Sequence, residues 1–242
     1  MKNLFITAII MHLCIAINAQ QSLYNDVLGK GLKGKVKMLA LVEYPYKTGG
    51  DKPVIDDKNP NTHTFNYTAT GVIESELIAR FKNGEMAEKN HYIIKVDANG
   101  IPVSGKFSDN NNNLTHYSKY EKNSDTSYAY SIYNDNNKME GQVLISKNRS
   151  GRTVNETVIT LTGGTYDVYV SRTLTYNKNI IEKEQIETYH VYEDKSLKLK
   201  KSETYHYYNE EQDIHGNPVN YLVRNKDMVP VKYIDCVYEY YE

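Results

Sequence analysis

The 242 residues carry 29 Lys and Arg against 30 Asp and Glu, so the charge supplies neither the basic footprint of a nucleic-acid binder nor a polybasic membrane patch. Twenty-three Tyr stand beside four Phe and no Trp, which makes the aromatic surface amphipathic: a ring can be buried while its hydroxyl stays hydrated. Low aliphatic content alone would raise disorder, but disorder also needs a high net charge, and here the charges nearly cancel.

Lys2, the apolar stretch over residues 4–17 and Asn18-Ala19 ahead of Gln20 read as a signal peptide, residues 1–19. The stretch is shorter than the roughly 18 to 20 residues that span a bilayer, and no second one follows, so no transmembrane helix is expected. His12-Leu13 before Cys14 are not the small residues that lipid attachment there would need. The exported chain keeps Cys236 alone. It therefore makes no internal disulfide, and Cys236 is expected to be buried in a strand over 233–241.

A polar lead-in, residues 20–34, with a helical turn over 23–28, precedes a first strand over 36–46. Residues 48–63 read as the longest loop. Asp51, Asp56 and Asp57 within it lack the Asp-x-Asp-x-Asp-Gly spacing of a calcium loop, so they are taken as solvated charge. From residue 65 onward apolar and polar residues alternate. Ile73, Leu77, Ala79 and Phe81 share one face and Glu74, Glu76 and Arg80 the other, and the same period runs through Tyr92, Ile94 and Val96, through Tyr128, Tyr130 and Ile132, and through Val168, Val170 and Leu174. Thr70-Gly71, Asn83-Gly84, Asn99-Gly100, Asn136-Asn137, Ser150-Gly151 and Gly163-Gly164 punctuate the alternation as hairpin turns. The expected fold is all-β: one domain over 35–242, an extended antiparallel meander of roughly a dozen or more strands. Its sheet is open or curled, with a closed barrel as the alternative.

The C-terminal third repeats itself. Residues 187–194 (Glu-Thr-Tyr-His-Val-Tyr-Glu-Asp) match residues 203–210 (Glu-Thr-Tyr-His-Tyr-Tyr-Asn-Glu), and Tyr176, Tyr192 and Tyr208 become equivalent. If each unit is one long strand plus a turn, these tyrosines fall at alternate ends of the sheet; if it is two short strands, they line one edge. Tyr-x-Tyr followed by Asn or Asp and a turn, as at residues 130–135, 189–194 and 205–209, together with residues 213–217 (Asp-Ile-His-Gly-Asn), resembles the YD repeats of RHS-like proteins. The Gly-punctuated stretch 67–107 is similar to MORN-type hairpin repeats. The resemblance implies a secreted or surface β-sheet used as scaffold or adhesive surface, with no shared activity. The leader and the Asn/Lys/Tyr-rich composition resemble those of secreted Bacteroidota proteins.

Catalytic patterns are missing: no Gly-x-Ser-x-Gly, no His-Glu-x-x-His and no phosphate-binding glycine loop. The period-2 pairs Glu74/Glu76 and Glu182/Glu184 would each project on one face as glycosidase carboxylates must, and are taken as a solvated strand face. His190 and His206 hold one repeat position, with His215, Glu193/Asp194 and Glu210/Glu211 nearby. A metal site there is weighed against exposed ladder histidines, and the ladder is preferred, so no metal or cofactor is expected. Tyr192 and Tyr208 are assigned to the framework. Tyr189, Tyr205 and Tyr207, with His190 and His206, are the candidate binding surface.

The leading function is therefore a non-enzymatic, secreted or surface-associated β-repeat protein that meets an unknown protein or glycan partner, with self-association through free sheet edges as a further contact. A ligand-holding or outer-membrane barrel is the alternative. Against the membrane form stand Ser75 and Gly105 within apolar faces and the Lys and Glu near strand middles. An exported hydrolase comes third.

Overall fold

One turn design recurs along the chain. In the computed structural model, which describes residues 25–242 apart from 50, 51, 163, 164, 179, 193 and 195, the side-chain oxygen of Asp97, Asp109, Asn134, Asn148, Asp213 or Asn225 accepts the backbone N–H groups two and four residues ahead. The third residue ahead is Gly100, Asn112, Asn137, Gly151, Gly216 or Met228, each at positive φ. Short Asx side chains thus replace water on the turn's own amides, and Gly or Asn supplies the left-handed conformation at little cost. The leader, Asp51, Gly163-Gly164 and Glu193 lie outside the described residues.

These turns connect a meander. After a short helix α1 (Asp26–Gly29) come β1 (Val36–Gly49), β2 (Lys52–Ile55), β3 (Asn61–Tyr67), β4 (Ile73–Lys82), β5 (Glu85–Val96), β6 (Pro102–Ser108), β7 (Leu114–Lys122) and β8 (Ser127–Asn134). They are followed by β9 (Met139–Lys147), β10 (Thr153–Thr162), β11 (Thr165–Asn177), β12 (Ile180–Val191), β13 (Leu197–Tyr208), β14 (Asn220–Asn225) and β15 (Pro230–Tyr240). All pairings are antiparallel, and β2 occupies part of what the sequence suggested was a loop.

The sheet is not open. β15 pairs with β1 from Val36↔Tyr240 to Pro45↔Lys232 and closes fourteen strands into a barrel, leaving β2 as a ribbon on the far end of β1. The length of β1 makes this possible: residues 38–43 pair with β3 on one side, 36–45 with β15 on the other, and 46–49 with β2. Closure satisfies the backbone groups that an open meander would leave on two free edges, so of the edges only that of β2 remains for self-association among the described residues.

Along most strands the inward residues are large and apolar or aromatic: Leu39 and Leu41, Tyr92 and Ile94, Tyr128 and Tyr130, Val143 and Ile145, Tyr221 and Val223, Ile234 and Cys236. Cys236 is buried, and burial pushes its thiol up to about 12. Many outward positions are polar: Thr62 and Thr64 on β3, Lys89, His91 and Lys95 on β5, Lys119 and Glu121 on β7, Ser127 and Ser131 on β8, Lys183, Gln185 and Glu187 on β12, with Ile93 and Val237 as exposed hydrophobics among them.

β-bulges break the simple alternation. The register shift opposite Asn66/Tyr67 separates Glu74, exposed, from Glu76, which points inward, and the shift opposite Thr175/Tyr176 separates exposed Glu182 from buried Glu184. The pairs read as one solvated face are thus split between outside and inside. On β4, Leu77 and Ala79 face outward, opposite Thr64 and Thr62, while Ile73 faces the interior.

The chain before β1 plugs one end of the barrel. Asp26 N and Val27 N donate to Gly71 O, Asp26 Oδ2 accepts from Ile73 N at 3.0 Å, and Lys147 Nζ reaches Asn25 O at 3.0 Å. Val27 packs with Val36, Leu39, Phe65, Tyr67, Val223, Ile234 and Cys236 in the principal core cluster. An eight-stranded barrel is filled by its own side chains; a wider one needs an insert, and the plug with the tyrosines provides it. Asn217, 1% exposed, latches the plug: Lys33 N donates to its Oδ1 at 2.7 Å, and its Nδ2 donates to Lys33 O and Tyr240 Oη, both at 2.8 Å. Asn217→Ala should leave both Lys33 backbone groups unpaired and lower unfolding free energy by about 2 kcal/mol, measured by urea denaturation; an unchanged midpoint would show that the latch contributes nothing.

Candidate functional site

Behind the plug lies a chamber of about 340 Å³. Its walls come from the first two thirds of the barrel: Leu41 and Glu43 from β1, His63 and Phe65 from β3, Ile73 and Glu76 from β4, Tyr92 and Ile94 from β5, Tyr120 from β7, Tyr128 and Tyr130 from β8, Ile145 from β9, Glu156 from β10, and Arg172, Leu174 and Tyr176 from β11. Asp26, Gly29 and Lys30 of the plug complete it.

The aromatic wall is a continuous contact network. The Tyr120 and Tyr130 rings lie 5.1 Å apart, Tyr120 and Tyr128 6.3 Å, and the Tyr92 hydroxyl shares hydrogen bonds with Ser118 Oγ at 2.8 Å and Tyr120 Oη at 2.7 Å. Burial pushes the hydroxyls of Tyr120, Tyr128 and Tyr130 well above the usual range for tyrosine. Gly105, beside Tyr92, has no room for a side chain, since a Cβ there would overlap the Tyr92 ring. That ring also stacks on Phe107 at 4.0 Å, and Phe107 lines a second groove of about 610 Å³ with His116, Ile132, Glu140 and Val158, on the side away from the plug. There Glu140 accepts from His116 Nε2 at 3.0 Å and Asn134 Nδ2 at 2.7 Å, which hold its carboxyl below the usual range.

A belt of charges crosses the lumen. Arg172 reaches Glu156 at 3.3 Å and binds Glu184 through Nε; Glu184, whose side chain is 5% exposed, also accepts from Tyr207 Oη at 2.5 Å. Arg172 is 39% exposed, but it lines the chamber, so that exposure is to the lumen. Lys232 pairs with Glu43 at 3.3 Å, and His63 Nδ1 lies 3.5 Å from Glu76. Lys30 differs. Its Nζ sits 4.1 Å from the Phe65 ring centroid, and among the described residues it makes no hydrogen bond or ion pair. Burial lowers its pKa, the Glu76 carboxylate opposing that shift.

The residues singled out from the sequence do not assemble. Tyr205 and Tyr207 point into the barrel, whereas Tyr189 faces outward beside Tyr169 at 5.6 Å and Glu187 at 2.9 Å. The three therefore share no face. Tyr192 and Tyr208, assigned to the framework, are 44% and 40% exposed. The register puts Tyr205 opposite Glu184, five residues from Tyr189, so the repeat-related Tyr189 and Tyr205 fall on opposite faces. Each repeat unit is one strand plus a turn, so His190, opposite Lys198, and His206, opposite Lys183, stand at opposite ends of the β12–β13 pair. Among the described residues no three His, Cys, Asp or Glu side chains form a group able to hold a metal ion. Asp56, read as solvated, is buried, and its carboxyl is held below the usual range by Lys47 at 2.5 Å, with Asn59 and the Lys58 N–H. Sequence reasoning missed Lys30, Glu76, Glu156 and Arg172 as one site; single polar residues at inward strand positions were the available signal, and only closure brings them together.

No family model and no curated protein matches the chain, so the resemblance to YD and MORN repeats is not confirmed. Among solved structures it is similar to a porin-like protein from Bacteroides uniformis, with a TM-score of 0.43, 11% identity and coverage of 86% of this chain and 98% of that one. It is also similar to a porin-like protein from Bacteroides vulgatus (0.38, 9%, 84% and 98%) and to a LolA superfamily protein from Nitrosomonas europaea (0.34, 9%, 90% and 91%). Likeness this distant adds nothing to the functional argument, which rests on the chamber.

Proposed function

We propose that the protein is a non-enzymatic holder of a small amphipathic molecule, taken up inside the barrel beyond the cytoplasmic membrane. The chamber carries the reading: about 340 Å³, at the lower end of ligand-site volumes, with rings and aliphatic side chains on its walls and a few fixed charges at one level. Outward Lys89, Lys95, Lys119 and Lys183 support an aqueous surrounding over a lipid one, because each Lys or Arg turned to lipid at the bilayer midplane would cost about 2–4 kcal/mol. Export rests on the leader, residues 1–19. The absence of hydrolysis is supported by the splitting of the carboxylate pairs and by a buried Cys236 whose raised pKa leaves little thiolate.

The test uses 1-aminonaphthalene, a fluorophore that brightens in apolar surroundings. Saturable binding at one site per chain is expected, weakened at least about tenfold by Ile145→Trp in the chamber and unchanged by Ser131→Trp on the outer wall. No saturable signal, or equal loss in both variants, would overturn the reading.

A further inference from the structure

Four cations point into the barrel around the chamber, and three have protein acceptors: Lys147 on Asn25 O, Lys232 on Glu43, and Arg172 on Glu156 and Glu184. The Lys30 ammonium alone of the four makes no hydrogen bond or ion pair among the described residues, although it has three N–H donors and lies over the face of Phe65. The carboxylates around it are occupied elsewhere. Asp26 accepts from Ile73 N and Tyr128 Oη, Glu76 faces His63, and Glu156 faces Arg172. An acceptor bound in the chamber would give this half-buried ammonium the charge-assisted hydrogen bond that the other three cations already make.

We propose that Lys30 anchors the head of the lumen ligand, and that this ligand is a singly charged carboxylate on an apolar body of about a dozen heavy atoms, the chamber holding about eleven water volumes. The assignment rests on the reading of the barrel as a holder of small molecules and gives that ligand a chemical class. The charge count follows from the surroundings. A cationic head would meet Lys30 and Arg172, while a dianion such as a phosphate monoester would be repelled by Glu76, Glu156 and Asp26. One carboxylate matches one unpaired ammonium. Ile73, Ile94, Ile145 and Leu174 provide the wall against which the apolar body lies. Burial lowers the Lys30 pKa, and a carboxylate beside it would oppose that shift.

Decanoate and 1-decanol, of equal chain length and different head, separate the claims in a calorimetric titration of the exported chain. Decanoate is expected to bind at one site per chain about tenfold tighter than 1-decanol, the worth of a charge-assisted hydrogen bond. Lys30→Gln should bring decanoate down to the affinity of 1-decanol and leave the alcohol unchanged; Lys30→Arg should keep most of the preference. The Arg variant also guards against a Gln variant that fails to fold, which far-ultraviolet circular dichroism would reveal. Equal binding of the two probes by the parent chain, or a preference that survives in Lys30→Gln, would overturn the Lys30 assignment and leave the chamber as a ligand site. Binding of neither probe would overturn both.

Discussion

Raising the pH above about 10 should unfold this protein in one steep step. Tyr67, Tyr120, Tyr128, Tyr130 and Tyr207 all have hydroxyls pushed well above the ordinary tyrosine value, with burial the largest cause in each, and Tyr176 and Tyr240 are pushed up to about 12. A folded-state pKa raised above the unfolded one contributes stability that is complete below the unfolded pKa and is lost as pH rises through the folded one. Each such ring therefore withdraws about 1.4 kcal/mol per pH unit above 10, and five together about 7 kcal/mol. The whole stability of a typical domain is about 5–15 kcal/mol. Lys30 and Lys147 act in the opposite sense: burial lowers their pKa values, so they add stability as pH rises toward their unfolded value of 10.5 and nothing beyond it. Two lysines do not offset five tyrosines. Urea midpoints should hold or rise slightly up to pH 9.5 and collapse by pH 11, with the buried share of tyrosinate absorbance appearing in the same step. Smooth ionisation of all rings near pH 10 in a chain that stays folded would contradict this account.

Arg172→Met should cost about 3 kcal/mol, because breaking a buried pair leaves the remaining charges uncompensated. Glu184 is the residue that suffers: its side chain is 5% exposed, and without the guanidinium it keeps only the Tyr207 hydroxyl. Glu156, 28% exposed, suffers less. The figure stays at the lower end of the range for buried pairs because the Arg172 side chain is 39% exposed. Adding Glu184→Gln to Arg172→Met should recover at least about 1 kcal/mol. A single variant as stable as the parent in urea, at pH 7, would show that the belt carries little of the fold's stability.

The hairpin turns were legible because their chemistry is local. An Asx side chain bonding amides two and four residues ahead, with Gly or Asn at positive φ, acts within five residues, so Asp97 to Ile101 and Asn148 to Arg152 announce themselves without any tertiary contact. The inward identity of Tyr92 with Ile94 and of Tyr128 with Tyr130 was likewise written in the period of two. The faces of Glu74, Glu182, Tyr189, Tyr205 and Tyr207 were not. For Glu74 and Glu182, one extra residue in one strand of a pair moves later side chains relative to their neighbours, and bulge positions are set by the bending of the sheet; for the tyrosines, the face follows from the β12–β13 register.

What the sequence determined by itself was an all-β meander with the turns in place, amphipathic strands and a cysteine destined for burial. What only the tertiary structure decided was closure, and with closure the site. β1 meets β15 across nearly the whole length of the chain, a contact with no local signature. Glu76, Glu156 and Arg172 stand on three different strands and come to face one chamber only when the sheet is a ring. The plug follows the same logic: residues 25–34 look like a polar lead-in because their partners, Gly71, Lys147, Tyr176 and Asn217, lie on four distant segments that the barrel alone brings to one end.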